Sequence, residues 1–198
     1  MFKVLLSVIQ LAPLFIIAVF IFIFYYFFTG RVHTERLHKI SIIALLLFYS
    51  FFALAETYAQ YYLWLNDAGG KNFLPPITPA VYFLKYSFIH FWFGRLIGIA
   101  LAISFYLFLR LLGRRRPWLF SEGETELGFT AALIAGWPGF VLFLPLIFIT
   151  ALPWTIFRQL VLKQERTTLG AAFFLAAGVV LIAGGWLIDR LGLGMLRI

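Results

Sequence analysis

The chain is predicted to be an all-α, polytopic membrane helix bundle of about six transmembrane helices, and three observations in its 198 residues carry that expectation. Hydrophobic residues make up 63% of the sequence and charged residues only 12%, about half the ~25% charge of an ordinary soluble domain. Apolar runs of about 20 residues, the length that crosses a bilayer core, recur from end to end. The basic residues gather in short stretches between those runs. Residues 1–198 therefore read as a single integral membrane domain whose principal partner is the lipid bilayer. A net charge of +8 could suggest nucleic acid, but arginines in short inter-span loops answer to topology and lipid headgroups, so no nucleic-acid partner is expected. The absence of cysteine excludes thiol chemistry and thiolate metal sites.

The spans follow in order. The first covers about residues 4–28; its apolar stretch is too long for the core of a signal peptide, and no small-residue cleavage site follows it. The second covers about 40–54. A long loop from Glu56 to Ala80 holds interfacial aromatics and a Gly-Gly and Pro-Pro turn region. The third covers about 91–112, with 81–90 at the interface. The fourth, about 127–136, is short and ends at the turn GWPG. The fifth, about 140–162, contains Pro145 and Pro153, which free backbone groups, and it is expected to be kinked and well surrounded. The sixth covers about 169–188.

Orientation is read from lysine and arginine. Arg31, Arg36 and Lys39, then Arg110 and Arg114 to Arg116, then Arg158, Lys163 and Arg166 fall on one side; Lys3, Lys71, Arg190 and Arg197 fall on the other. The positive-inside rule places the 30–39, 112–126 and 163–168 loops in the cytoplasm and both termini outside, in a bacterial or archaeal plasma membrane.

The most unusual stretch is SEGETEL, residues 121–127, where Glu122, Glu124 and Glu126 alternate in a chain with eight acidic residues in all. Ser121 followed three positions later by Glu124 has the form of a capping box, and carboxylates in a first turn complement the helix dipole. That reading requires no function.

A second reading comes from resemblance. GETEL, a short alanine-rich span, GWPG and a long apolar helix resemble the type IV prepilin peptidases and their archaeal preflagellin relatives, which are intramembrane aspartic proteases. Their second signature, G-x-G-D-x-K-L, falls on residues 121–127, with Gly123 and Leu127 matching, Glu124 at the catalytic aspartate and Glu126 at the lysine. The first signature, a pattern like D-x-R-x-R-x-I-P-N, falls on RVHTERLHK, with Arg31 at the aspartate, Leu37 at the isoleucine and His38 at the proline. TLGAAFFLAAG, Thr168 to Gly178, is similar to the family's P-F-G-P-F-L-A-x-G segment without its prolines.

The resemblance implies a dyad of carboxylates sharing a proton, one activating water and the other polarising the peptide carbonyl. Here both aspartate positions are substituted. Arginine stays protonated and cannot act as a base, so Arg31 facing Glu124 implies an ion pair and a non-catalytic homologue that binds pilin-like leader helices or a secretion-system partner. Two alternatives stand beside it: an active leader endopeptidase using Glu124, with Glu35 as the second acid, and a structural or transport subunit of a larger membrane complex.

Elsewhere, Glu56 and Arg95 are expected to pair across an antiparallel hairpin and stabilise the fold. His33 and His38 offer no third ligand and His90 sits among aromatics, so no metal site is expected, and no nucleotide or cofactor fingerprint occurs.

Overall fold

A computed structural model of the chain describes residues 9, 11–29, 34–116, 120, 123–161 and 169–196, and all regular structure among them is helical. That outcome follows from the solvent: in hydrocarbon every backbone amide and carbonyl must be satisfied within its own segment. The order is α1 (Ala12–Thr29), α2 (Thr34–Asn66), a 3-10 turn (Gly70–Phe73), α3 (Ala80–Ser87), a π-helical turn (Phe88–Phe93) and α4 (Gly94–Arg115), then α5 (Glu124–Ala135), α6 (Gly139–Val161), α7 (Gly170–Arg190) and a 3-10 turn (Leu193–Leu196). The segments α3, π-turn and α4 run on as one helix.

Four stretches are long and apolar enough to cross a bilayer among the described residues: Lys39–Asn66, Ala80–Arg115, Gly139–Phe157 and Gly170–Arg190. The first expected span contributes the shorter apolar helix Pro13–Tyr25. The fourth is α5, whose 12 residues rise about 18 Å, short of a hydrocarbon core of about 30 Å.

One boundary differs from the sequence expectation. α2 does not end near residue 54 but continues to Asn66, 33 residues in all. Polar residues from Glu56 onward end the apolar run, yet a helix leaving the hydrocarbon needs no apolar side chains. Its last turns are held by packing instead. Trp64 lies against Phe73, Tyr82, Phe83 and Tyr86, with ring centroids 4.9 to 6.4 Å away. Gly70 turns onto the α2 backbone, where a Cβ would lie 2.7 Å from Trp64 Cα, and its amide donates to Asp67 Oδ2 at 2.7 Å. The expected long loop is thus a helical extension closed by a tight turn.

The fifth span also departs from expectation. Pro145 and Pro153 lie within α6 but face outward, among exposed Phe148, Ile149 and Leu152. α6 is therefore covered on one side only. On its inner side the Thr150 hydroxyl, 2.8 Å from Leu146 O, also reaches Ala172 O of α7 at 3.2 Å.

α5 is the centre of the bundle. Leu127, Gly128, Thr130, Ala131, Ala132, Leu133 and Ile134 are all buried, so the helix is covered on every side, packed by α2, α4, α6 and α7. Small residues make this approach possible. A Cβ on Gly128 would lie 2.5 Å from Leu109 Cδ1 and 3.1 Å from Phe173 Cε2. Outside it, Phe105 meets Phe140, Phe143 and Phe173 edge-on, with centroids 5.7 to 6.0 Å apart.

Gly128→Ile is expected to lower unfolding stability by about 1–3 kcal/mol, the cost of overpacking a filled core. Gly194→Ala, where a Cβ meets nothing within 4 Å, should leave it unchanged. Thermal unfolding of both variants in one detergent checks the contrast.

Candidate functional site

The glutamate-rich entrance of α5 is built from an unusual start. Gly123 occupies the N-cap with φ 84°, a left-handed conformation that favours glycine, and its carbonyl accepts the Leu127 amide at 3.0 Å. Helical residues begin at Glu124. The capping-box register is thereby overturned: Glu124 is the first helical residue, not the third, and Gly123 rather than Ser121 is the N-cap.

Glu124 caps a different helix. It is 2% exposed, and its Oε1 accepts the Gly170 amide at 2.9 Å. Gly170 opens α7, whose own N-cap residue Leu169 supplies no side-chain bond. The first amides of a helix lack intrahelical acceptors, and a carboxylate placed there satisfies one and complements the dipole. The bond spans 46 positions of sequence and ties the start of α5 to the start of α7.

Glu126 serves a local role. Its carboxylate accepts the Thr125 hydroxyl at 2.9 Å. Two positions along a helix it is rotated by about 200° from Glu124, so the two do not form a dyad. Arg31 and Ser121 lie outside the described residues. Glu35 lies in the first turn of α2, with its side chain likewise outside them. Neither the Arg31–Glu124 pair nor a Glu35–Glu124 dyad is therefore described. Among the described residues no group of three His, Asp or Glu is placed to hold a metal ion.

A second polar locus lies near the other end of α5. The structure brings Glu56 of α2 and Arg95 of α4 together, Nη1 to Oε2 at 2.8 Å, with side chains 27% and 25% exposed for arginine and glutamate. Nη1 also donates to Phe91 O within the preceding turn. The π-helical turn ends two residues before Arg95, and a wide turn of this kind shifts the face that later residues present. Beside the pair, Trp92 Nε1 donates to Thr57 Oγ1 at 3.2 Å.

A cavity of about 190 Å³ adjoins Arg95, lined also by Tyr49, Leu133, Gly136 and Trp137. Here the last carbonyls of α5 need donors. The Tyr49 hydroxyl supplies one to Leu133 O at 2.6 Å, and the Gly136 amide, after the last turn, bonds Ala132 O at 3.1 Å. Trp137 Nε1 donates to Leu196 O at 2.9 Å, fastening the C-terminal turn to the helix break.

No protein-family model, curated protein or solved structure matches this chain.

Sequence reasoning missed Gly170 and Tyr49. Gly170 carries no side-chain signal, since its contribution is a backbone amide. Tyr49 does carry one: a hydroxyl in mid-span must find an acceptor inside the protein.

Glu124→Ala is expected to destabilise the chain by about 1–3 kcal/mol, the cost of leaving a buried donor unsatisfied. Glu124→Gln keeps an acceptor oxygen for Gly170 and should lose less than half as much. Denaturant titration in detergent measures both. For the second locus, Glu56→Gln should cost more than the ~1 kcal/mol of an exposed pair and less than the 3–5 kcal/mol of a fully buried one. A double-mutant cycle with Arg95→Gln isolates the coupling.

Proposed function

We propose that this chain is a non-catalytic integral membrane protein with a prepilin-peptidase-like arrangement, which holds pilin-like leader helices or a secretion-system partner without cutting them. The observation that carries this reading is the commitment of Glu124. The residue at the family's second aspartate position is buried and bonded to the α7 amide at 2.9 Å. A catalytic carboxylate must instead reach water and a scissile carbonyl, with a second acid sharing its proton. Among the described carboxylates, Glu126 points away on the same helix and Glu56 is paired with Arg95.

The orientation proposed is the one with residues 30–39, 112–126 and 163–168 in the cytoplasm of a bacterial or archaeal cell. It is supported by the starts of α5 and α7, which the Glu124–Gly170 bond holds together, and by the end of α4, whose Leu109 packs at Gly128 of α5. Arg114 and Arg115 lie at that same end.

The test is a binding and cleavage assay on the protein in lipid with fluorescent prepilin-type leader peptides. The expected result is retention of the intact peptide by wild type and by Glu124→Gln, with no product from either. Gain of cleavage in the Arg31→Asp, Glu124→Asp double variant would establish the ancestral architecture. Cleavage by wild type that disappears in Glu124→Gln would make the protein a leader endopeptidase. Neither binding nor cleavage would favour a structural or transport subunit of a larger complex.

A further inference from the structure

On its outer surface the bundle carries a second, wholly different cavity. An apolar cleft of about 440 Å³ lies between α4 and α6, with buried Phe140 and Phe173 at its base. Phe108 and Phe148 form its rim and are 59% and 74% exposed, so it opens sideways onto the membrane. Ser104 is its one hydroxyl-bearing residue, and that hydroxyl donates to Ala100 O at 2.8 Å in its own helix. Nothing in the lining therefore asks for a polar occupant.

Length and charge identify what fits. The α4 wall runs from Leu101 to Leu112, a rise of about 16 Å, which is half of a hydrocarbon core of about 30 Å and so the depth of one leaflet. Three residues beyond Leu112 the same face of α4 presents Arg115, with Arg114 beside it. Both are exposed, and neither has a hydrogen bond or ion pair among the described residues. The carboxylates described at this level, Glu124 and Glu126, accept from Gly170 and Thr125. An apolar slot one leaflet deep that ends at two exposed guanidinium groups, unpaired among the described residues, matches a chain with an anionic head. About 440 Å³ spread over about 16 Å is a mean cross-section of about 27 Å², the scale of one acyl chain, whereas a helix about 10 Å across needs about 80 Å².

We propose that the α4–α6 cleft is a binding site for an anionic phospholipid, with one acyl chain in the cleft and the phosphate at Arg114 and Arg115. It stands independently of the peptidase-like reading, since it uses neither Glu124 nor any leader helix.

Native mass spectrometry of the full chain tests it, after reconstitution in vesicles of equal phosphatidylglycerol and phosphatidylcholine and extraction in mild detergent. The expected result is one retained phosphatidylglycerol per chain, favoured over phosphatidylcholine by about tenfold or more, as two arginines at an anionic surface supply. Arg114→Gln with Arg115→Gln should abolish the preference, and Ala151→Phe, which fills the cleft, should abolish retention. Ser104→Phe fills it from the opposite wall should Ala151→Phe fail to fold. Equal retention in all variants would overturn the proposal. Loss in the arginine variant with full retention in both filled variants would also overturn it, leaving a surface headgroup contact. A concentration-dependent dimer broken by Ala151→Phe would place a second copy in the cleft and overturn it as well.

Discussion

The bundle depends on how the ends of one short helix are satisfied. α5 is too short to reach both membrane surfaces, and its sides are covered by α2, α4, α6 and α7. Its unpaired amides and carbonyls therefore end inside the protein, where each unsatisfied group would cost several kcal/mol in a medium without water. At the C-terminal end Tyr49 of α2 caps Leu133 O and the Gly136 amide takes Ala132 O. At the N-terminal end Gly123 adopts the left-handed geometry that lets its own carbonyl accept the first helical bond. Glu124 belongs to this problem. A glutamate at the first helical position brings negative charge to the positive end of α5, and its length lets the same carboxylate serve the start of α7.

That double duty bears on the resemblance to leader peptidases. Catalysis by paired carboxylates needs a proton that moves and a water that enters, so both groups must be free to change partners. A carboxylate joining two helix starts is held still by the same bond that makes it useful for stability. The length of glutamate fits this: it lets the group reach a neighbouring helix, while a longer side chain positions a water less tightly than aspartate would. Glu124 thus supplies rigidity between two helix starts rather than a mobile proton.

Much of the architecture was legible in composition and spacing. Apolar runs marked the long helices, and the brevity of the segment at 127–136 was visible before its central position was known. Three things were not legible, each for a physical reason. The Glu124–Gly170 bond joins residues 46 positions apart, and one partner is a backbone amide common to every residue type. The capping-box pattern specified a plausible register, but tertiary packing and Gly123 moved the helix start to Glu124. The extension of α2 to Asn66 rests on the Trp64 cluster, contacts that no local hydrophobic pattern encodes. Pro145 and Pro153 misled in another way. Proline within a spanning helix implies support for the freed carbonyls, but these rings sit on the lipid side, where α6 remains helical from Gly139 to Val161.

The two polar ties at the ends of α5 differ in kind, and the difference indicates where the bundle can yield. Glu124 is sealed from solvent, so releasing Gly170 would strand a carboxylate and an amide together in a dry interior. The Arg95–Glu56 pair keeps about a quarter of each side chain exposed and borders a cavity of about 190 Å³ at the α5–α6 break. It also follows directly on a π-helical turn, a backbone form that absorbs a register change within one turn. Separating this pair leaves each group beside a cavity rather than in a filled core, and the adjoining helix already contains the turn that would accommodate the shift. Motion of the bundle, if coupled to a partner in the membrane, is therefore cheapest at the Arg95 end of α5, with the Glu124 end as its fixed point.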